Sequence, residues 1–167
     1  MRRSVRAGAL ALAIATGAGL VPALVSSAGA ASSVACSKLV ALPIAKTGGK
    51  LKSTLSSCTP ATLKAGATSL TAVNKGQQAG TLTETLTWVG GNGTTVAIVK
   101  YAGAKGGAGK CPTGDGRVTI TGTIKSSTGA AAKIIKAKEA LSASVCAVTT
   151  GPNQGASSLE PGTKFLL

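Results

Sequence analysis

The stretch from Gly80 to Tyr101 reads GTLTETLTWVGGNGTTVAIVKY. Two runs rich in Thr, Val, Leu and Ile flank Gly90-Gly91-Asn92-Gly93. β-Formers alternating on either side of an Asn-Gly step are the strongest short-range signal for a β-hairpin, since Asn and Gly tolerate the positive φ that tight turns demand. The only Trp of the chain, Trp88, and its only Tyr, Tyr101, both lie here. In a protein with 2% aromatic residues, this hairpin is where the core is expected to be fastened.

Alternate residues of a strand share a face. Leu82, Glu84, Leu86 and Trp88 therefore line one side, with Thr81, Thr83, Thr85 and Thr87 on the other. A three-residue loop, Gly91-Asn92-Gly93 with Gly93 left-handed, predicts Trp88 opposite Val96, Leu86 opposite Ile98 and Glu84 opposite Lys100. A two-residue Asn92-Gly93 loop would instead set Trp88 against Ala97 and Leu86 against Val99. The first register is expected, because it gathers the larger apolar residues and puts opposite charges across from each other.

Other segments carry the same period. Arg117 to Lys125 alternates cleanly, with Val118, Ile120 and Ile124 inward and Thr119, Thr121 and Thr123 outward. Gly122 in the inward row predicts a bulge or a close approach by another element. Ser37–Ala45 and Thr47–Ser57 read as two short strands leading to Cys58, and Ala61–Lys75 as strand and irregular structure. Ser142–Val148 reads as a strand around Cys146, and Thr163–Leu167 as a final strand. Ala130–Leu141 has helix propensity, which all-β neighbours can override. Seven to nine short strands at turn-punctuated spacing predict an all-β, antiparallel sandwich or small barrel.

The first thirty residues do not belong to that fold. Arg2, Arg3 and Arg6 precede an uncharged apolar run from Ala7 to Val25, and Ala28-Gly29-Ala30 fits the small-x-small rule of a signal peptidase site. Residues 1–30 are therefore expected to be a removed signal peptide, and residues 31–167 a single secreted β-rich domain, extracellular or held at the cell surface. Lipidation at Cys36 is disfavoured: Ser33 stands where a large aliphatic residue is wanted, and an odd number of cysteines would remain. Four cysteines, Cys36, Cys58, Cys111 and Cys146, then read as two disulfides in an oxidising compartment. Sequential hairpins favour Cys36–Cys58 and Cys111–Cys146. Wide spacing, no CxxC and no His argue against zinc.

The whole chain carries a formal net charge of +14, with 18 basic and 4 acidic residues. Without its leader it keeps fifteen basic residues against Glu84, Asp115, Glu139 and Glu160, a net +11. All of these cations except Arg117 are lysines, spread along the chain. Lysine is a hydrated point charge and lacks the bidentate fork that reads bases. Such a surface reads first as a solvated, soluble exterior and, in the sharper alternative, as loosely attracted to anionic envelope polymers or membrane surfaces; specific nucleic-acid recognition is not expected.

Catalytic motifs are missing. With no histidine, Ser-His-Asp and Cys-His arrangements are excluded. Paired carboxylates would need two of four distant acids to meet, and no Ser-Lys motif stands out. Ala102–Lys110 is glycine-rich without P-loop spacing. No catalytic, cofactor or metal residues are assigned, and the site residues are the four cysteines.

Several landmarks occur together: Cys58-Thr59-Pro60, Trp88-x-Gly90-Gly91, Lys110-Cys111-Pro112, Thr121-Gly122-Thr123, Val145-Cys146 and Pro161-Gly162-Thr163-x-Phe165. With a cysteine soon after a leader, they resemble small secreted actinobacterial four-cysteine, β-rich proteins of unknown function. The resemblance implies an exported two-disulfide domain and no activity. The chain departs from that group in its lysine content and in Ala130–Leu141. The function expected is a non-enzymatic structural or interaction module of the envelope or extracellular space. The alternatives are a cationic effector on anionic membranes or walls, and a disulfide-braced proteinase inhibitor presenting Lys110 or Lys164.

Overall fold

A computed structural model describes residues 32–44, 50–72, 79–104 and 109–167. The expected leader, residues 1–30, and residues 105–108 of the glycine-rich Ala102–Lys110 connection lie outside them. The strands are β1 (Ala35–Pro43), β2 (Lys50–Thr59), β3 (Ala67–Ala72), β4 (Ala79–Trp88), β5 (Thr94–Ala104), β6 (Asp115–Ser127), β7 (Ala140–Val148), β8 (Ser157–Leu159) and β9 (Phe165–Leu166). Short 3₁₀ turns span Ala61–Leu63 and Val89–Gly91. The helix-prone stretch yields one helical turn, α1 (Ala131–Ile134). The chain then folds back so that Lys138 N–H donates to Ile124 O and Ile124 N–H to Glu139 O. Pairing with β6 thus overrides helix propensity from the second turn onward.

Each strand pairs antiparallel with the next from β1 to β8, and β8 returns to β1. Of the two expected architectures, the fold is therefore the barrel, closed and eight-staved. The eighth stave is split. β8 and β9 both lie between β7 and β1, with Ser158 opposite Val40 and Leu166 opposite Ala35. Eight positions of the last segment thus cover five of β1, and the surplus forms the excursion from Glu160 to Lys164. Reciprocal backbone bonds between Val34 and Leu167, both 2.9 Å, tie the two ends of the described domain together.

The interior is apolar. Leu55, Leu63, Trp88, Ile124, Ile135, Leu141 and Leu167 are fully buried, with Leu86, Val99 and Phe165 beside them. The outer wall carries Thr81, Thr83, Thr85 and Thr87 from β4 and Thr119, Thr121 and Thr123 from β6, all exposed. An apolar lumen with a polar exterior is the reverse of a membrane-spanning barrel. Among the described residues no helix is long and apolar enough to cross a membrane.

The hairpin exists, but neither expected register is correct. Leu86 faces Thr95, Glu84 faces Ala97, Leu82 faces Val99 and Gly80 faces Tyr101. Thr85 lies opposite Val96, Thr83 opposite Ile98 and Thr81 opposite Lys100, so the Glu84–Lys100 pair does not form. The cause is the loop. Gly90, Gly91 and Gly93 all take positive φ, and Trp88 N–H donates to Gly93 O at 2.9 Å, closing a longer turn than Asn92-Gly93 alone. Asn92 Nδ2 caps it by donating to Val89 O at 2.7 Å. The shift sends Val96 and Ile98 outward and brings Thr95 inward, where it is completely buried.

That inversion has a chemical reason. Trp88 Nε1 donates to Thr95 Oγ1 at 2.9 Å, and Thr95 Oγ1 is 3.0 Å from Ser127 Oγ. An indole N–H buried without an acceptor costs free energy that a valine at this place could not offset. On β6 the expected faces are correct. A Cβ at Gly122 would stand 2.5 Å from Ile98 O, so the close approach is to β5. The register shift lies beyond the next two pairs, between Val96 and Ala97.

Candidate functional site

The four cysteines form the expected disulfides. Cys36 and Cys58 are direct partners across β1 and β2, and both are buried in the core. Cys111 joins Cys146 on β7, with a Cα–Cα distance of 5.3 Å. The second bridge fixes the segment before β6 to the outer wall of β7. Lys110, immediately before it, and Lys164, in the excursion before β9, are both exposed.

Beside that bridge lies a polar cluster that sequence reading missed. Glu160 is 5% exposed. Its Oε1 accepts Lys110 N–H at 2.7 Å, and its Oε2 accepts Ser144 Oγ–H at 2.5 Å and pairs with Arg117 Nε at 2.9 Å. Arg117 Nε also donates to Ser144 Oγ at 2.9 Å. Thr163 Oγ1 donates to Glu160 O at 2.7 Å, and Glu160 N–H to Ser144 O at 2.8 Å. The hydrogen bond from Ser144, the backbone N–H of Lys110 and the charge of Arg117 hold the Glu160 carboxyl below the ordinary carboxylate range, and burial opposes them only in part. A carboxylate saturated by donors in this way is a fastener. It clamps the segment at residue 110, β6, β7 and the excursion at one point. Nothing in the sequence marks it, because Lys110, Arg117, Ser144 and Glu160 meet only through the barrel.

A second carboxylate, Glu84, faces the half-buried end of the β4 inner row. Ser69 Oγ donates to its Oε1 at 2.6 Å and Thr71 Oγ1 at 3.0 Å. Glu139 accepts from Ser33 Oγ at 3.0 Å. Asp115 is half-buried at the start of β6. All four acids of the protein are thus partly or wholly withdrawn from solvent. Every described lysine is exposed, and among the described residues no lysine lies within ion-pair distance of a carboxylate, Arg117–Glu160 being the ion pair formed. Among the described residues no group of three or more His, Cys, Asp or Glu side chains could hold a metal ion. A shallow recess of about 200 Å³ beside β8, lined by Leu42, Asp115 and Val148 among others, is smaller than the usual small-molecule site.

The lysines are scattered in sequence, but the barrel gathers three of them. On the outside of β1, β2 and β3, Leu42, Lys52 and Leu70 stand in one cross-strand row. Val40, Thr54 and Thr68 form the next row, with Lys38 and Lys50 flanking. Val40, Leu42 and Leu70 are 50%, 56% and 67% exposed, the three most exposed large apolar residues described. Sequence reading missed this face because SKLVALPIA reads as one apolar run; the sorting of Leu39 and Ala41 inward and Val40 and Leu42 outward needs the strand.

No family model, curated protein or solved structure matches the chain. The likeness to small secreted actinobacterial proteins rests on short motifs alone.

Proposed function

We propose that this protein is a secreted, non-enzymatic interaction module of the cell envelope or extracellular space, which binds anionic partners through its lysines. The observation that carries this reading is the segregation of charge. All four acids are withdrawn into hydrogen bonds or partial burial, and the described lysines stand exposed and unpaired with carboxylates. A surface so stripped of negative charge attracts polyanions over the Debye length, about 8 Å at physiological salt. Two disulfides are compatible with an extracellular protein, and the apolar stretch after Arg2-Arg3 supports export.

The test is a pull-down with the purified mature protein from envelope and culture fractions at low and high salt. The reading expects capture of envelope material that is lost as salt rises. Capture indifferent to salt, or none at all from envelope fractions, would refute it.

A further inference from the structure

We infer that the outer face of β1, β2 and β3 docks on an anionic lipid bilayer surface. This inference rests on the anionic-partner reading above and narrows it to one face and one partner. Antiparallel neighbours sit about 5 Å apart and same-face residues of a strand about 7 Å apart. Val40, Leu42 and Leu70 therefore form one patch, crossed by Lys52 and bordered by Lys38 and Lys50. The opposite wall differs in kind. There Thr81, Thr83, Thr85 and Thr87 of β4 and Thr119, Thr121 and Thr123 of β6 point outward, with Val96, Ile98 and Lys100 of β5 between them and Lys125 near the end of β6.

The composition of the patch selects its partner. A hydrophilic polyanion would neutralise Lys38, Lys50 and Lys52 but would leave three half-exposed aliphatic side chains in water. A bilayer interface accepts both parts at once. The aliphatic groups enter the boundary of the acyl chains, and the lysine stems lie along them with their ammonium groups at the phosphates. Charge complementarity supplies the attraction, since no carboxylate stands in either cross-strand row of the face. The three most exposed large apolar residues described, gathered on one face, mark an interaction surface.

The probe is co-sedimentation with vesicles of phosphatidylcholine containing one part in four phosphatidylglycerol, against pure phosphatidylcholine, at low and high salt. Soluble polyphosphate is the second ligand. Wild type should bind the anionic vesicles and not the neutral ones. L42S/L70S should weaken vesicle binding about tenfold and leave polyphosphate binding unchanged. K50Q/K52Q should weaken vesicle binding about twenty-five-fold, near fivefold for each lysine. K100Q/K125Q, which removes equal charge from the opposite wall, should change it less than about threefold. The unshifted emission of buried Trp88 verifies that each variant is folded.

Equal losses in the two lysine pairs would overturn the inference, because the charge would then act without a face. Full binding by L42S/L70S would overturn it as well, and so would wild type that binds polyphosphate but not vesicles. Those last two outcomes leave the anionic-partner reading standing; salt-independent capture from the envelope fractions would remove that reading separately.

Discussion

Replacing Thr95 by valine keeps the shape of a completely buried side chain and removes one oxygen. That oxygen accepts the Trp88 Nε1–H at 2.9 Å and meets Ser127 Oγ at 3.0 Å. Trp88 is 2% exposed, so no water replaces the acceptor. Ser127 is half-buried and can turn to solvent. The loss is therefore dominated by one buried indole donor left unpaired, about 1–3 kcal/mol. In urea, with a slope of about 1–3 kcal/mol per molar, the midpoint should fall by roughly 1 M. Trp88→Phe removes the donor itself, leaves Thr95 bonded to Ser127 and costs about 1–3 kcal/mol through lost packing. Adding Thr95→Val to Trp88→Phe should then cost about 1 kcal/mol less than it does alone. Denaturation followed by far-UV circular dichroism measures all four proteins, because the single-tryptophan signal disappears with Trp88. An equal cost of Thr95→Val in both backgrounds would refute the argument that this hydrogen bond sets the hairpin register.

Two further outcomes follow from the same geometry. The depressed carboxyl of Glu160 contributes stability that is complete above its unfolded value, about 4.3, and is lost as pH falls through the lower folded value. The melting temperature should therefore drop on acidification from about pH 5 to pH 3, and Glu160→Gln should flatten that drop; parallel curves for the two proteins would count against the clasp. Gly66→Ala should abolish soluble folded protein or cost several kcal/mol, since its Cβ would overlap Leu55 O at a φ of +85°. Gly91→Ala, with nothing within 4 Å, should cost only about 1–2 kcal/mol for the left-handed backbone. Similar melting temperatures for these two variants would show that the β2–β3 approach is looser than described.

Strands carried by strict alternation were legible from the residues. Arg117–Lys125 shows its two faces directly, and both disulfides follow from pairing neighbouring cysteines. The hairpin at Gly80–Tyr101 was legible as an element but not in its register. Its loop holds three glycines, each able to take positive φ, and several turns fit the same letters. Tertiary chemistry decided between them, through a tryptophan that needed a hydroxyl opposite it. The one-turn helix shows the opposite limit: local propensity was present and strand pairing prevailed. The Glu160 clasp and the β1–β3 face were illegible for a common reason. Each joins residues from successive strands and so depends on the register of more than one pairing at once, and neither that register nor the closure of the barrel is written in a local pattern.

The split eighth stave gives that closure a particular weakness. One disulfide joins β1 to β2 and the other ties Cys111 to β7, so neither crosses the gap between β1 and β7. Among the described residues that gap is buckled by the three residues of β8, the two of β9 and the Val34–Leu167 backbone bonds. Oxidation thus reinforces the staves while leaving the hoop non-covalent. Were the buckle to slip, two nine-residue strands would become free edges together, each a template for a strand from another copy. The hazard for this barrel is therefore intermolecular zippering with both disulfides intact.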